Sequence, residues 1–141
     1  MAEFGLKVRP LFEMRLAVQG PSEVGIDASV GRRIGVVTSG TFSGGRLSGT
    51  VMPGAIDWGE RRADGTAVLS VQLLLTTEAG EPIAMTYRGL RAQVATESVY
   101  FRIAAFFETT SEKYAWLTRL LAVGEGVRGE DGPIYSIVEV L

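Results

Sequence analysis

Neither histidine nor cysteine occurs anywhere in the 141 residues. That double gap excludes Ser-His-Asp and Cys-His nucleophile systems, histidine- or thiolate-bound zinc, and disulfides within the chain. Chemistry is left to carboxylates, tyrosines, arginines and lysines. Lysine is itself scarce: only Lys7 and Lys113 occur, and arginine supplies the rest of the 14 basic residues. Such a bias fits either genome composition or a need for bidentate contacts to anions.

Positive charge is not in excess. Fourteen basic residues face 16 acidic ones, with a pI near 5.2, so the electrostatic footprint of a nucleic-acid-binding protein is missing. No stretch approaches the roughly 18 consecutive apolar residues of a membrane-crossing helix. The opening Met1-Ala2-Glu3-Phe4-Gly5-Leu6-Lys7 lacks the basic start, apolar run and small-residue cleavage site of a secretory signal. Nucleic acid and membranes are therefore not expected partners, and the cytoplasm is the expected address. Asp-x-Asp pairs and calcium-loop spacings are absent, and neither a metal nor another cofactor is expected.

What the chain has in quantity is period-two alternation of apolar and polar residues, the mark of half-buried strands. It predicts strands at 11–18, 33–38, 46–52, 66–76, 83–90, 99–108 and 134–141. In 11–18, Phe12, Met14, Leu16 and Val18 share a face; in 66–76, Leu69, Val71, Leu73 and Leu75 do. In 99–108, Phe101, Ile103, Ala105 and Phe107 lie on one face and Tyr100, Arg102, Ala104 and Phe106 on the other, which predicts cover on both sides. In 134–141 the face carries Ile134, Ser136, Val138 and Val140. Ser111 followed by Tyr114, Leu117 and Leu121 predicts one short capped helix, and 124–133 reads as a loop or hairpin turn.

Glycine is concentrated at Gly40, Gly44, Gly45, Gly49, Gly54 and Gly59, a spacing that suits a strand edge, a tight bend and a second strand. The stretch lacks the Gly-Lys-Ser/Thr ending and following helix of a phosphate loop. Many strands, regular turn signals and almost no helix indicate an antiparallel sandwich or barrel. Glycines at bends help a sheet curl and close, which favours an all-β, single-domain antiparallel barrel of about eight strands spanning 1–141, with one short helix and room for one small ligand.

The glycine-rich stretch ends on an acid beside a large aromatic, Asp57-Trp58. Burial there would raise the carboxyl pKa toward acid/base work; the plainer alternative is an Asx-type turn with Trp58 anchoring the core. Arg102 lies in an apolar strand beside Tyr100, so it must face solvent or find a partner, and Asp57 is one candidate. In the functional reading Asp57 is the base, Tyr100 or Tyr87 donates a proton, and Arg102 orients a substrate carboxylate or an oxyanion; in the structural one Arg102 forms an ion pair or sits on an exposed face. Trp58, Tyr87, Phe107 and Trp116 are candidate walls of an apolar ligand site, or simply core.

The order and spacing of several short landmarks identify a resemblance. They are Pro10-Leu11-Phe12, Gly31-Arg32-Arg33-Ile34, Ser39-Gly40-Thr41-Phe42, Leu47-Ser48-Gly49, Pro53-Gly54-Ala55-Ile56-Asp57-Trp58, Thr77-Glu78-Ala79-Gly80, Gly89, Tyr100-Phe101-Arg102, Phe107-Glu108 and Tyr114-Ala115-Trp116-Leu117. With them the chain resembles the domain of unknown function 3237 family (uncharacterised protein family 0311). The resemblance implies a compact antiparallel β-barrel of bacteria or fungi without a settled general activity. Two departures from the family's pattern, at Ser70, Gln72 and Leu73 and at Thr118, imply a less polar pocket if those positions line one. The expected function is binding of a small apolar or aromatic metabolite, with cofactor-free isomerase, lyase or cyclase chemistry. The alternative is a non-catalytic ligand-binding or homo-oligomeric scaffold protein.

Overall fold

Alternation along the chain becomes nine strands: β1 (Val8–Gly25), β2 (Gly31–Ser43), β3 (Ser48–Val51), β4 (Ile56–Arg61), β5 (Ala67–Thr77), β6 (Pro82–Ala95), β7 (Ser98–Glu108), β8 (Ala122–Arg128) and β9 (Pro133–Val140). The computed structural model describes residues 5–27 and 30–141, so the Met1–Phe4 part of the leader reading lies outside the described residues. Every pairing is antiparallel, and the sheet closes because β1 bonds β9 on one side and β2 on the other. Strands β3 and β4 both lie between β2 and β5. They share one position in the ring, which therefore has eight strand positions, the barrel expected from the sequence.

The break between β3 and β4 is the Pro53-Gly54 bend. Gly54 has φ +108°, a conformation that side-chain-bearing residues rarely adopt, and the bend is tied to β2 by Gly54 N–H donating to Val37 O and Val37 N–H to Ala55 O, both at 2.8 Å.

Inward residues form one continuous core. At one end Phe12 packs on Phe42 and Phe107, with ring centroids 5.4 and 6.1 Å apart. Tyr114 and Leu117 join the same core. The predicted helix shrinks to five residues of 3-10 helix, Ala115–Arg119, with no side-chain cap. Ser111 does not cap it, because its hydroxyl is taken by the Glu81 carboxylate.

Three further expectations are corrected. Both faces of β7 were expected to be covered, but only the Phe101, Ile103, Ala105 and Phe107 face is; Phe106 on the other is 61% exposed, because a closed single-layer barrel has only one interior. In β9 the buried set is Tyr135, Ile137 and Glu139, the parity opposite to the apolar one read from sequence. The stretch 124–133, expected as a loop or hairpin turn, holds that turn only at 129–132; residues 124–128 continue β8. Gly124 and Gly126 face inward there, where an added Cβ would lie 3.0 Å from Ile103 and 2.8 Å from the Phe101 ring: their small size serves packing, not turning. No helix among the described residues is long and apolar enough to cross a membrane.

Candidate functional site

The barrel core is not filled throughout. Toward the end that carries the β8–β9 turn lies a cavity of about 330 Å³, walled by Val18, Leu69, Val71 and Phe101 and bearing Asp57, Tyr87 and Tyr135. The turn itself folds against β1, where Val18 N–H donates to Asp131 O at 2.9 Å. That approach requires Gly132, since a Cβ there would sit 2.3 Å from Leu16 O.

Asp57 reaches the lumen by register. It pairs with Gly35 on β2 and Val71 on β5, and Val71 in turn pairs with Tyr87 on β6. Between the Asp57–Val71 and Glu60–Val68 pairs the β4–β5 ladder is open, and Asp57 Oδ1 accepts the Ser70 N–H at 3.1 Å. The carboxyl thus replaces a missing ladder bond rather than capping the Pro-Gly bend. Burial raises its pKa above the ordinary aspartate value, opposed in part by the Ser70 N–H and the Arg33 charge. Glycines stand on two sides of it, Gly35 across the ladder and Gly59 two residues on, both at crowded points: an added Cβ would lie 3.0 Å from Val18 Cγ1 at Gly35 and 2.9 Å from Val68 O at Gly59.

The two phenols are almost completely buried. Their rings meet edge to face with centroids 5.4 Å apart, and Tyr87 Oη donates to Tyr135 Oη at 3.4 Å. Only one proton can lie between two hydroxyl oxygens, which leaves the Tyr135 proton for another acceptor. Burial first, then Tyr135 and the Asp57 charge, holds the Tyr87 pKa far above its usual value, and burial does the same for Tyr135. Both remain neutral donors at any physiological pH.

Arginines ring the mouth. Arg33, Arg91 and Arg128 line the cavity from β2, β6 and β8; Arg91 lies 5.8 Å over the Phe101 ring, and Arg33 has Glu23 at 3.5 Å. Burial, then repulsion from Arg128 and Arg33, lowers the Arg91 pKa. Among the described residues no group of three or more acidic side chains is placed to hold a metal ion.

Of the residues singled out from sequence, the structure brings together Asp57 and Tyr87 and separates the rest. Trp58, next in the strand to an inward residue, points outward at 54% exposure with Arg32 5.4 Å over its ring. Tyr100 and Arg102 lie on the outer face of β7, where Arg102 stacks on Tyr100 at 5.0 Å and pairs with Glu125 at 3.4 Å rather than with Asp57. Phe107 is core at the other end. Trp116 lies over there too, under Arg46 at 4.6 Å, beside Glu139, which accepts from Arg9 at 2.6 Å and Arg46 at 2.5 Å. The departures expected to thin out a pocket do not face this one: Gln72 and Thr118 are exposed, Leu73 is core, and Ser70 contributes its backbone. Tyr135 and the three mouth arginines were not read from sequence.

The profile described as "Protein of unknown function (DUF3237)" matches residues 6–140. The chain belongs to this family. A UPF0311 protein of Clostridium acetobutylicum is 32% identical over 121 residues, covering 76% of this chain and 77% of its own. Among solved structures, a β-barrel-like protein from Acinetobacter baumannii superposes with a TM-score of 0.89 at 28% identity, over 99% of both chains. A protein described as an enzyme, from Penicillium herquei, shares the fold with a TM-score of 0.82 at 23% identity, over 100% of this chain and 98% of its own. The family thus rests on the sequence match, and the solved structures share the barrel fold.

Proposed function

We propose that this family member binds a small, largely apolar or aromatic metabolite in its lumen and catalyses a proton-transfer reaction on it, of the isomerase, lyase or cyclase kind, without a cofactor. The observation that carries this reading is the Asp57 carboxyl held by Ser70 N–H in an open cavity beside two buried phenols. Asp57 takes a proton from a carbon or hydroxyl of the substrate, its basicity raised by burial. Tyr135, polarised by the bond it accepts from Tyr87, keeps its proton and donates a hydrogen bond to the oxygen on which negative charge develops. The same Asp57 then returns the proton at a second atom, so the reaction needs no oxidant or reductant. The Penicillium herquei protein of this fold being described as an enzyme supports turnover.

A thermal-shift screen against a metabolite panel tests the binding half, because a ligand of the native state alone raises the melting temperature by mass action. Hits are then followed for conversion with wild type and Asp57→Asn. Binding with turnover lost in Asp57→Asn supports the enzyme; binding without turnover in either makes the barrel a carrier or sensor. Turnover unchanged in Asp57→Asn removes Asp57 from the chemistry.

A further inference from the structure

We propose that the mouth of the lumen is an anion subsite, in which Arg33, Arg91 and Arg128 hold the carboxylate of a small organic acid whose apolar body lies between Val18, Leu69, Val71 and Phe101. This deepens, and rests on, the reading of the lumen as a ligand site.

Three strands distant in sequence each send an arginine to one cavity. The half-buried Arg91 feels repulsion from both Arg128 and Arg33 and forms no ion pair among the described residues. Arg33 has Glu23 on one side, whereas Arg128 makes no hydrogen bond or ion pair among the described residues. Arg91, half-buried and without an ion pair among the described residues, is costly to keep charged there, and an anion from outside is what offsets that cost. The stacking of Arg91 on Phe101 holds one fork at the junction between charged mouth and apolar wall, where an acid attached to a ring would place its head group.

A carboxylate fits better than a phosphate. Its planar pair of oxygens matches a guanidinium fork. The rim also carries Glu130 and Asp131, and the floor carries Asp57, so a dianion meets more repulsion than a monoanion does. The volume of about 330 Å³ is at the small end for organic ligands, about 300–1,000 Å³, and suits a body of one or two rings.

The test is an NMR titration at low salt with three probes that share a phenyl ring: trans-cinnamate, its uncharged isostere trans-cinnamamide, and phenyl phosphate. The readout is the ring signals of Tyr87 and Tyr135. Cinnamate is expected to bind about tenfold more tightly than the amide, in line with one charge-assisted contact. Arg91→Gln and the exposed Arg128→Gln, which leaves the fold undisturbed, should each weaken cinnamate several-fold and leave the amide unchanged. Equal affinity for acid and amide, or no loss in Arg128→Gln, overturns the anion subsite and leaves the ligand cavity standing. Tighter binding of phenyl phosphate overturns the choice of carboxylate. If none of the three probes moves the tyrosine signals, the ligand cavity itself is refuted along with the subsite.

Discussion

Gly35 and Asp57 face each other across the β2–β4 ladder, and Val18 closes over the glycine where a side chain would otherwise stand beside the acid. A Cβ at Gly35 would lie 3.9 Å from Asp57 Cβ and 3.0 Å from Val18 Cγ1. Everything proposed for the lumen depends on the cavity that Asp57 lines, because a carboxyl packed on all sides has no access to a substrate.

Asp57→Asn is expected to stabilise the fold at neutral pH. The native state favours the protonated acid, since burial raises the pKa of Asp57. Stability therefore falls as pH rises from the unfolded value of about 3.9 through the folded value, and stays lower above it. Asparagine carries no charge and still accepts Ser70 N–H. Its melting temperature should exceed wild type at pH 7 and match it at pH 3, as thermal unfolding at the two pH values will show. A variant less stable than wild type at pH 7 would assign Asp57 a purely structural role.

The two phenols should prove unequal. Tyr135→Phe removes the free donor and should lower kcat about 100-fold with little change in KM. Tyr87→Phe removes only the bond that polarises it and should lower kcat less, about tenfold. Each loses one buried hydrogen bond and should cost about 1 kcal/mol of stability. Steady-state kinetics on a substrate found by the screen, with urea unfolding alongside, separates the roles.

At the far end of the barrel Glu139 is a structural acid. Hydrogen bonds from Arg9 and then Arg46 hold its pKa below the ordinary glutamate range, so its contribution is present above the unfolded pKa and is lost as pH falls through the folded one. Glu139→Gln should lower stability by about 1 kcal/mol at pH 7, less at pH 3, and leave ligand binding in the lumen untouched. Denaturant melts at both pH values measure it.

Gly89→Ala probes the inner wall of β6. The added methyl would lie 2.5 Å from Arg102 O and 2.6 Å from Ile103 Cγ2, so β7 must move back. A loss of about 1–3 kcal/mol is expected. Gly45→Ala, with nothing within 4 Å of the new atom, is the matched control.

Much of this was legible in the sequence. Alternation gave the inward faces of β1, β5 and β7 correctly, because a sheet with one wet side sorts its residues strictly by parity. It misled in β9, where apolar Ile134, Val138 and Val140 share a parity with Ser136 and outnumber the buried Tyr135 and Glu139. It also misled in β8, where glycines that make room for Phe101 and Ile103 look like turn residues. At the site, Asp57 and Tyr87 could be picked out as an acid after a bend and an aromatic in a strand. Trp58 could not be assigned a side without knowing which way Asp57 points, since adjacent strand residues face oppositely. The grouping of Arg33, Arg91 and Arg128 depends on strand register across the closed ring, which no local pattern records.

The most direct measurement is the pH titration of the Asp57 side-chain carboxyl by ¹³C NMR, alone and with trans-cinnamate. A midpoint above the ordinary aspartate value, moving higher when the anion enters the lumen, is the predicted result. A midpoint at or below that value, indifferent to the probe, would contradict a working acid in a ligand cavity.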